Sequence, residues 1–138
     1  MASTLHLTSL KAGLDAVLAL GTPKLSFMAT GFTPNAGTDS YWSDISSSRA
    51  SGTSDVTLAS ITTTLDTGNA RVEFDTADPS LSTITATTNK YTIWVDTGSD
   101  ATSPVLATID IVEGTLTPVS GTLSITVNAE GHYALKAV

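Results

Sequence analysis

The chain has 138 residues, 41% of them hydrophobic and only 14% charged, with a formal net charge of −7. Such a length predicts one domain with a real core, and the acidity, with Lys and Arg scattered, argues against nucleic acid as a partner. Cysteine is absent, which removes disulfides, thiolate nucleophiles and Cys-based metal sites, and no apolar run approaches the ~20 residues of a membrane span.

The N-terminal residues 1–7 read as a flexible or docking arm. Leu10, Leu14, Val17 and Leu18 follow the i, i+4, i+7, i+8 rule and predict an amphipathic helix over 8–19. Thr8 or Ser9 is placed to cap it, and Gly21 and Pro23 punctuate its end. Leu14–Leu20 is too short, carries Asp15 and lacks a basic flank, so it is not a signal-peptide core. A soluble protein made in the cytoplasm, with no membrane partner, is the expectation.

Leu25, Phe27 and Ala29 alternate with Ser26 and Met28, predicting a strand over 24–30. Gly31–Asp55 follows, long and rich in Gly, Ser, Asn and Asp, longer than a connector needs. Its apolar cluster is Tyr41, Trp42 and Ile45. Buried, these residues anchor the loop to the core; exposed, they mark a contact surface together with Phe32. Val56–Leu65 reads as one strand with a bulge near Leu58 and Ala59 to reconcile its two faces. Asp66, Thr67, Gly68 and Asn69 form a hairpin turn. Ala70, Val72 and Phe74 then point inward, and Leu81–Thr88 is a weaker strand with Ile84 and Ala86 inward.

The strongest segment is Tyr91–Ile111: strand, loop, strand. Tyr91, Ile93 and Val95 share one face; Val105, Ala107, Ile109 and Ile111 do the same on the return. Asp96, Gly98, Ser99 and Asp100 supply turn chemistry, and Pro104 sits at the mouth of the second strand. Trp94 is out of phase with its apolar neighbours, so either the N-terminal helix covers it or it faces a partner; coverage by the helix is the favoured reading. Glu113–Gly121 is turn-like. Leu123, Ile125 and Val127 mark another half-buried strand, and Tyr133, Leu135 and Ala137 the last. About eight short strands with turns between them predict a mainly β fold: an antiparallel β-sandwich with one short N-terminal helix, a single domain over 1–138.

Asp96-Thr97-Gly98-Ser99 after an apolar strand imitates the catalytic loop of an aspartic protease, and Asp66-Thr67-Gly68 repeats it. Two lobes cannot fit between residues 66 and 96, and a single-motif homodimeric enzyme, whose second copy would supply the partner carboxylate, should carry an apolar-apolar-Gly segment downstream that is not found; turn geometry explains both copies. Asp66, Asp96 and Asp100 offer hard oxygen ligands but lack the spacing of a calcium loop. His132 beside Gly131 reads as structural. No Gly-x-Ser-x-Gly and no phosphate-cradling loop occurs. The expectation is no catalytic residue, no cofactor and no metal.

The order of pieces resembles a family of small structural proteins of tailed bacteriophages, common in phages of actinobacteria. The resemblance rests on the N-terminal helix, the strand Lys24-Leu25-Ser26-Phe27-Met28, the aromatic loop Tyr41-Trp42-Ser43-Asp44-Ile45-Ser46, the segment Tyr91–Asp110 and a closing strand-Gly-strand. Where family members often carry Trp and Asp before the closing Gly, this chain has Val127, Asn128, Ala129 and Glu130. The resemblance implies a virion structural role, on the head surface as a capsid decoration or cement protein, or alternatively a neck, tail or fibre module binding another virion protein or a host glycan. Implied partners are the major capsid protein and further copies of the chain, as a trimer. Phe32, Tyr41, Trp42 and Trp94 are the candidate interface residues.

Overall fold

The computed structural model describes residues 6–136. Most of the expected docking arm, and Ala137, lie outside them. Helix α1 (Leu7–Leu18) opens the chain and is followed by strand β1 (Thr22–Met28), short helix α2 (Trp42–Ile45) with a 3₁₀ turn over Ser46–Ser48, β2 (Val56–Thr57), β3 (Thr62–Asp66), β4 (Arg71–Asp75), β5 (Ser80–Ile84), β6 (Lys90–Asp96), β7 (Val105–Asp110), β8 (Gly121–Ser124) and β9 (Tyr133–Lys136). The expected mainly β, antiparallel architecture with one N-terminal helix holds. The sheets run β2-β1-β6-β7, β3-β4-β9 and β5-β8.

The core lies between these sheets in a sandwich-like arrangement. Leu25 and Phe27 of β1 and Tyr91 and Ile93 of β6 meet Val72 and Phe74 of β4, Leu123 of β8 and Leu14 of α1. Side chains alternate across a strand, so odd positions of β1 and β6 enter this core and even ones leave by the other face. In β6 both faces are buried, from Lys90 to Val95, which is why its sequence reads as a near-continuous apolar run. Helix α1 packs on β3 and β4. His6, not Thr8 or Ser9, occupies its N-cap, and no side chain closes that end.

Several strand expectations change: Leu81–Thr88 is a strand only over Ser80–Ile84, and the strand marked by Leu123, Ile125 and Val127 only over Gly121–Ser124. Val56–Leu65 is not one bulged strand. Ser60 takes a left-handed backbone (φ 53°), so the chain leaves β1, which pairs with Val56 and Thr57, and joins β4 as β3. A left-handed residue cannot continue an extended ladder. Leu65 is consequently exposed. Ala70 lies exposed in the β3–β4 turn with φ 52°, not inward. In β7 the register shifts by one residue: Ile93 pairs with Ala107 but Trp94 with Val105. The extra residue of a bulge breaks the strand's alternation, so Val105 leaves the face of Ala107 and Ile109 for the tryptophan side while Leu106 packs on the main core.

Two glycines with a left-handed backbone sit where backbones touch. A Cβ on Gly52 (φ +83°) would lie 2.2 Å from the Thr85 carbonyl oxygen. One on Gly131 (φ +87°) would lie 2.1 Å from that of Phe74. Gly131 therefore lets the chain turn into β9 directly against β4.

Candidate functional site

The outer face of the β1–β6 pair carries Lys24, Ser26 and Met28 opposite Trp94, Thr92 and Lys90. Segment 31–55 folds back over this face. Trp42, at the start of α2, lays its ring on Trp94 with centroids 4.5 Å apart and planes 5° from parallel. Both tryptophans are 2% exposed, and Met28 and Ile45 complete the cluster with Phe32 and Val105 at its margin. The expected cover for Trp94 was α1; that helix lies on β3 and β4 instead, and Trp42 supplies the cover.

A polar chain runs beneath the stack. Trp94 Nε1–H donates to Ser26 Oγ (2.9 Å), Ser26 Oγ–H donates to Asp55 Oδ1 (2.6 Å), and Arg49 Nη1 pairs with the same carboxylate (2.8 Å). Every buried indole and hydroxyl donor along it thus has an acceptor, as burial requires. Lys24 lies over the Trp94 ring, 5.7 Å from its centroid, and pairs with Asp96 at 2.7 Å.

The same fold-back joins the aromatic loop to the loop after β6. Tyr41 and Pro104 form an isolated bridge. The amide of Trp42 donates to the Ser103 carbonyl (2.8 Å), and that of Val105 to the Ser40 carbonyl (3.1 Å). The Asp44 carboxylate accepts from the amides of Ser40 and Tyr41 and holds the start of α2. Ser103 Oγ–H donates to the Ser99 carbonyl while accepting from the Thr97 amide. The loop over 97–103 is therefore braced from within by its Thr and Ser side chains.

The two Asp-Thr-Gly copies sit on different sheets, Asp66 at the end of β3 and Asp96 at the end of β6. Asp96 accepts from Lys24 and from the Gly98 amide, which holds its carboxyl below the usual range. Asp66 is held low by the Asn69 side chain and amide and then by Arg71. Both act as turn carboxylates with an added cation. Among the described residues no three His, Asp or Glu side chains gather as a metal would need.

Of the four candidate interface residues, burial takes Trp42 and Trp94 off the surface of the single chain: each is the other's cover. Phe32 is half-buried at the margin of the cluster, and Tyr41 is 46% exposed. Among the described residues, the most exposed large apolar side chains had not been singled out: Val112, 98% exposed, and Val119, 78% exposed, both between β7 and β8. Their sequence context, a Gly- and Pro-punctuated turn segment, looked like plain connector. His132 was also unremarked as a partner. It lies between Tyr91 and Thr76, at the edge of a cavity of 190 Å³ shared with Asp110, Glu113 and Asn128.

Comparison with protein-family models, with curated proteins and with solved structures finds no match for this chain.

Proposed function

We propose that this chain is a structural protein of a tailed-phage virion, a capsid decoration or cement protein that binds the assembled head, with the major capsid protein and further copies of itself as partners. The proposal begins from the sequence resemblance at Tyr41–Ser46 and Tyr91–Asp110. The observation that carries it is that these two stretches interlock through the Trp42–Trp94 stack and the 97–103 loop. Their polar side chains are spent on bracing one another, which suits a part that contributes shape and rigidity. The carboxylates held below their usual range owe this chiefly to hydrogen bonds within the scaffold: Asp15 to Lys11 one helix turn away, Asp66 to Asn69 in its own turn, and Asp96 to Lys24 on the paired strand β1.

Exposed Tyr41, Val112 and Val119, with half-buried Phe32 beside the tryptophan cluster, are the contacts we assign to the shell or to neighbouring copies, since aromatic and apolar anchors are the usual centres of such contacts. A trimer suits the threefold positions of an icosahedral shell, and β7, at the end of its sheet, offers an edge that a neighbour covers. The test is co-sedimentation with empty shells, with light scattering of the free protein. A trimer mass and a copy number close to that of the shell subunit are expected. A monomer that does not sediment with shells refutes the assignment, and a copy number of a few per particle moves it to the neck, tail or fibre.

A further inference from the structure

His132 is the one half-buried imidazole among the described residues with both ring nitrogens engaged. Nδ1 lies 3.0 Å from the Tyr91 hydroxyl and Nε2 lies 2.8 Å from Thr76 Oγ1. The direction of each bond follows from counting hydrogens. Thr76 Oγ1 has a single hydrogen, which it donates to the Ala77 carbonyl (2.8 Å). It must therefore accept from His132, so Nε2 carries the proton. Nδ1 is then a lone pair, and Tyr91 donates to it. The opposite tautomer forfeits the Ala77 bond and leaves the Tyr91 hydrogen, on a side chain only 5% exposed, without an acceptor. One directional chain results: Tyr91 O–H to His132, His132 N–H to Thr76, Thr76 O–H to the Ala77 carbonyl.

This chain ties three elements together. Tyr91 belongs to β6, Thr76 follows β4, and His132 immediately precedes β9. Among the described residues, strand β9 is an edge strand that pairs only with β4, over Tyr133–Lys136. Its approach is fixed by the Gly131 contact and by the His132 amide, which donates to the Phe74 carbonyl. Short edge elements open most readily in a folded protein.

We propose that His132 is an acid-operated latch for the C-terminal strand: the neutral, Nε2-protonated imidazole closes the Tyr91–His132–Thr76 chain and holds β9 on β4, and protonation at Nδ1 breaks the Tyr91 link and frees it. A protonated Nδ1 is a donor facing a donor. Tyr91, which lines the same cavity as His132, must then turn its hydrogen away from the ring, and a charge is placed beside the rings of Phe74, at 5.9 Å, and Tyr91, at 5.6 Å.

The groups facing the imidazole act in both directions. Asp75 at the end of β4 and Asp78 beyond it favour the charged form, but burial outweighs them and holds the His132 pKa below its ordinary value. Both carboxylates already accept backbone amides, from Thr76 and Val127. Tyr91 from β6 and Tyr133 from β9 are themselves pushed up to about 12 by burial, so both stay neutral across the working range. Asp110 of β7 and Glu113 after it share the cavity wall with His132.

The experiment is NMR on protein labelled with ¹⁵N in its histidines, with amide hydrogen exchange of the whole chain measured at pH 7.5 and pH 5 and corrected for intrinsic rates. At neutral pH the ring spectrum is expected to show Nε2–H. Opening of the β9 amides is expected to rise at pH 5 relative to the β1–β6 amides, because protonation disfavours the closed arrangement. His132→Gln should abolish that rise. Tyr91→Phe, which removes the donor to Nδ1 without adding charge, should shrink it and keeps the test open if the first variant does not fold. An Nδ1–H tautomer at neutral pH, or a wild-type rise no larger than that of His132→Gln, overturns the proposal.

Discussion

Trp42→Ala is the most informative single change. Trp42 is 2% exposed and stacked on Trp94 at 4.5 Å. Truncating a buried Trp costs about 3–5 kcal/mol from lost transfer energy and the cavity left behind, of which roughly 0.5–1.5 kcal/mol belongs to the ring–ring geometry itself. The loss propagates. Trp94 loses its cover, water reaches the Ser26–Asp55 chain, and the Trp42 amide, bonded to the Ser103 carbonyl, is no longer held in place by a packed side chain. Against a typical stability of about 5–15 kcal/mol, the variant is expected to sit near the edge of folding. Urea unfolding followed by far-UV circular dichroism measures the loss, and near-UV circular dichroism reports the coupled indoles, whose signal should collapse. A loss under about 1 kcal/mol with an unchanged near-UV spectrum would refute the reasoning, because it would mean that the two rings do not pack. The same numbers make Trp42→Ala a poor probe of binding: weakened attachment to shells would follow from unfolding alone. Tyr41→Ala is the clean probe, expected within about 0.5 kcal/mol of wild type in stability and weaker in shell binding.

Ser26→Ala strands the Trp94 N–H in the buried layer and should cost about 1–3 kcal/mol, with a red-shifted or broadened Trp fluorescence spectrum as a local readout. Asp96→Asn keeps the acceptor for the Gly98 amide and loses the Lys24 pair, a partly exposed bridge worth at most about 1 kcal/mol; shell binding should be unchanged, and peptide cleavage by wild type that vanishes in this variant would revive the protease reading. Gly131→Ala places a methyl 2.1 Å from the Phe74 carbonyl oxygen at φ +87° and should cost more than about 2 kcal/mol, seen as loss of β9 amide protection before global melting. The pH dependence should show two steps, read from urea midpoints. A group held below its ordinary pKa in the folded state contributes stability above that value and loses it as pH falls. His132, ordinarily 6.5, therefore weakens the fold first, below about pH 6.5, and Asp15, Asp66 and Asp96, ordinarily 3.8, weaken it again below about pH 4. A midpoint flat from pH 7.5 to 5 would remove the first step.

What was legible in the residues was whatever repeats at short range. The β6–β7 hairpin could be read because alternation and turn chemistry occupy one continuous stretch, and β1 and β4 could be read for the same reason. The bulge between Leu106 and Val105 could not, because a one-residue slip leaves composition and turn residues unchanged and shows only against the partner strand. The break at Ser60 was hidden similarly: Ser rarely adopts positive φ, so nothing in its identity announces that the chain changes sheets there. The tyrosine–histidine–threonine chain joins residues 76, 91 and 132, which share no periodicity at all.

The tryptophan pair marks where a stronger inference was available. An aromatic residue in a polar loop reads alike whether it inserts or protrudes, so Tyr41 and Trp42 alone were ambiguous. Trp94 was not equally ambiguous: it projects from the outer face of a strand whose same-face neighbours Lys24, Ser26 and Thr92 are polar, and an indole there must be covered. Helix α1 was a poor candidate for that cover, because its own stripe of Leu10, Leu14 and Leu18 needs the main core, where all three pack. A helix with one apolar face cannot serve both sides of a sheet. The largest flat apolar group left to cover an indole was Trp42, on a segment too long to be a connector. That segment's length is thus what lets it reach around the β1–β6 pair, and any shortening between Gly31 and Tyr41 should uncover Trp94 as surely as removing Trp42 does.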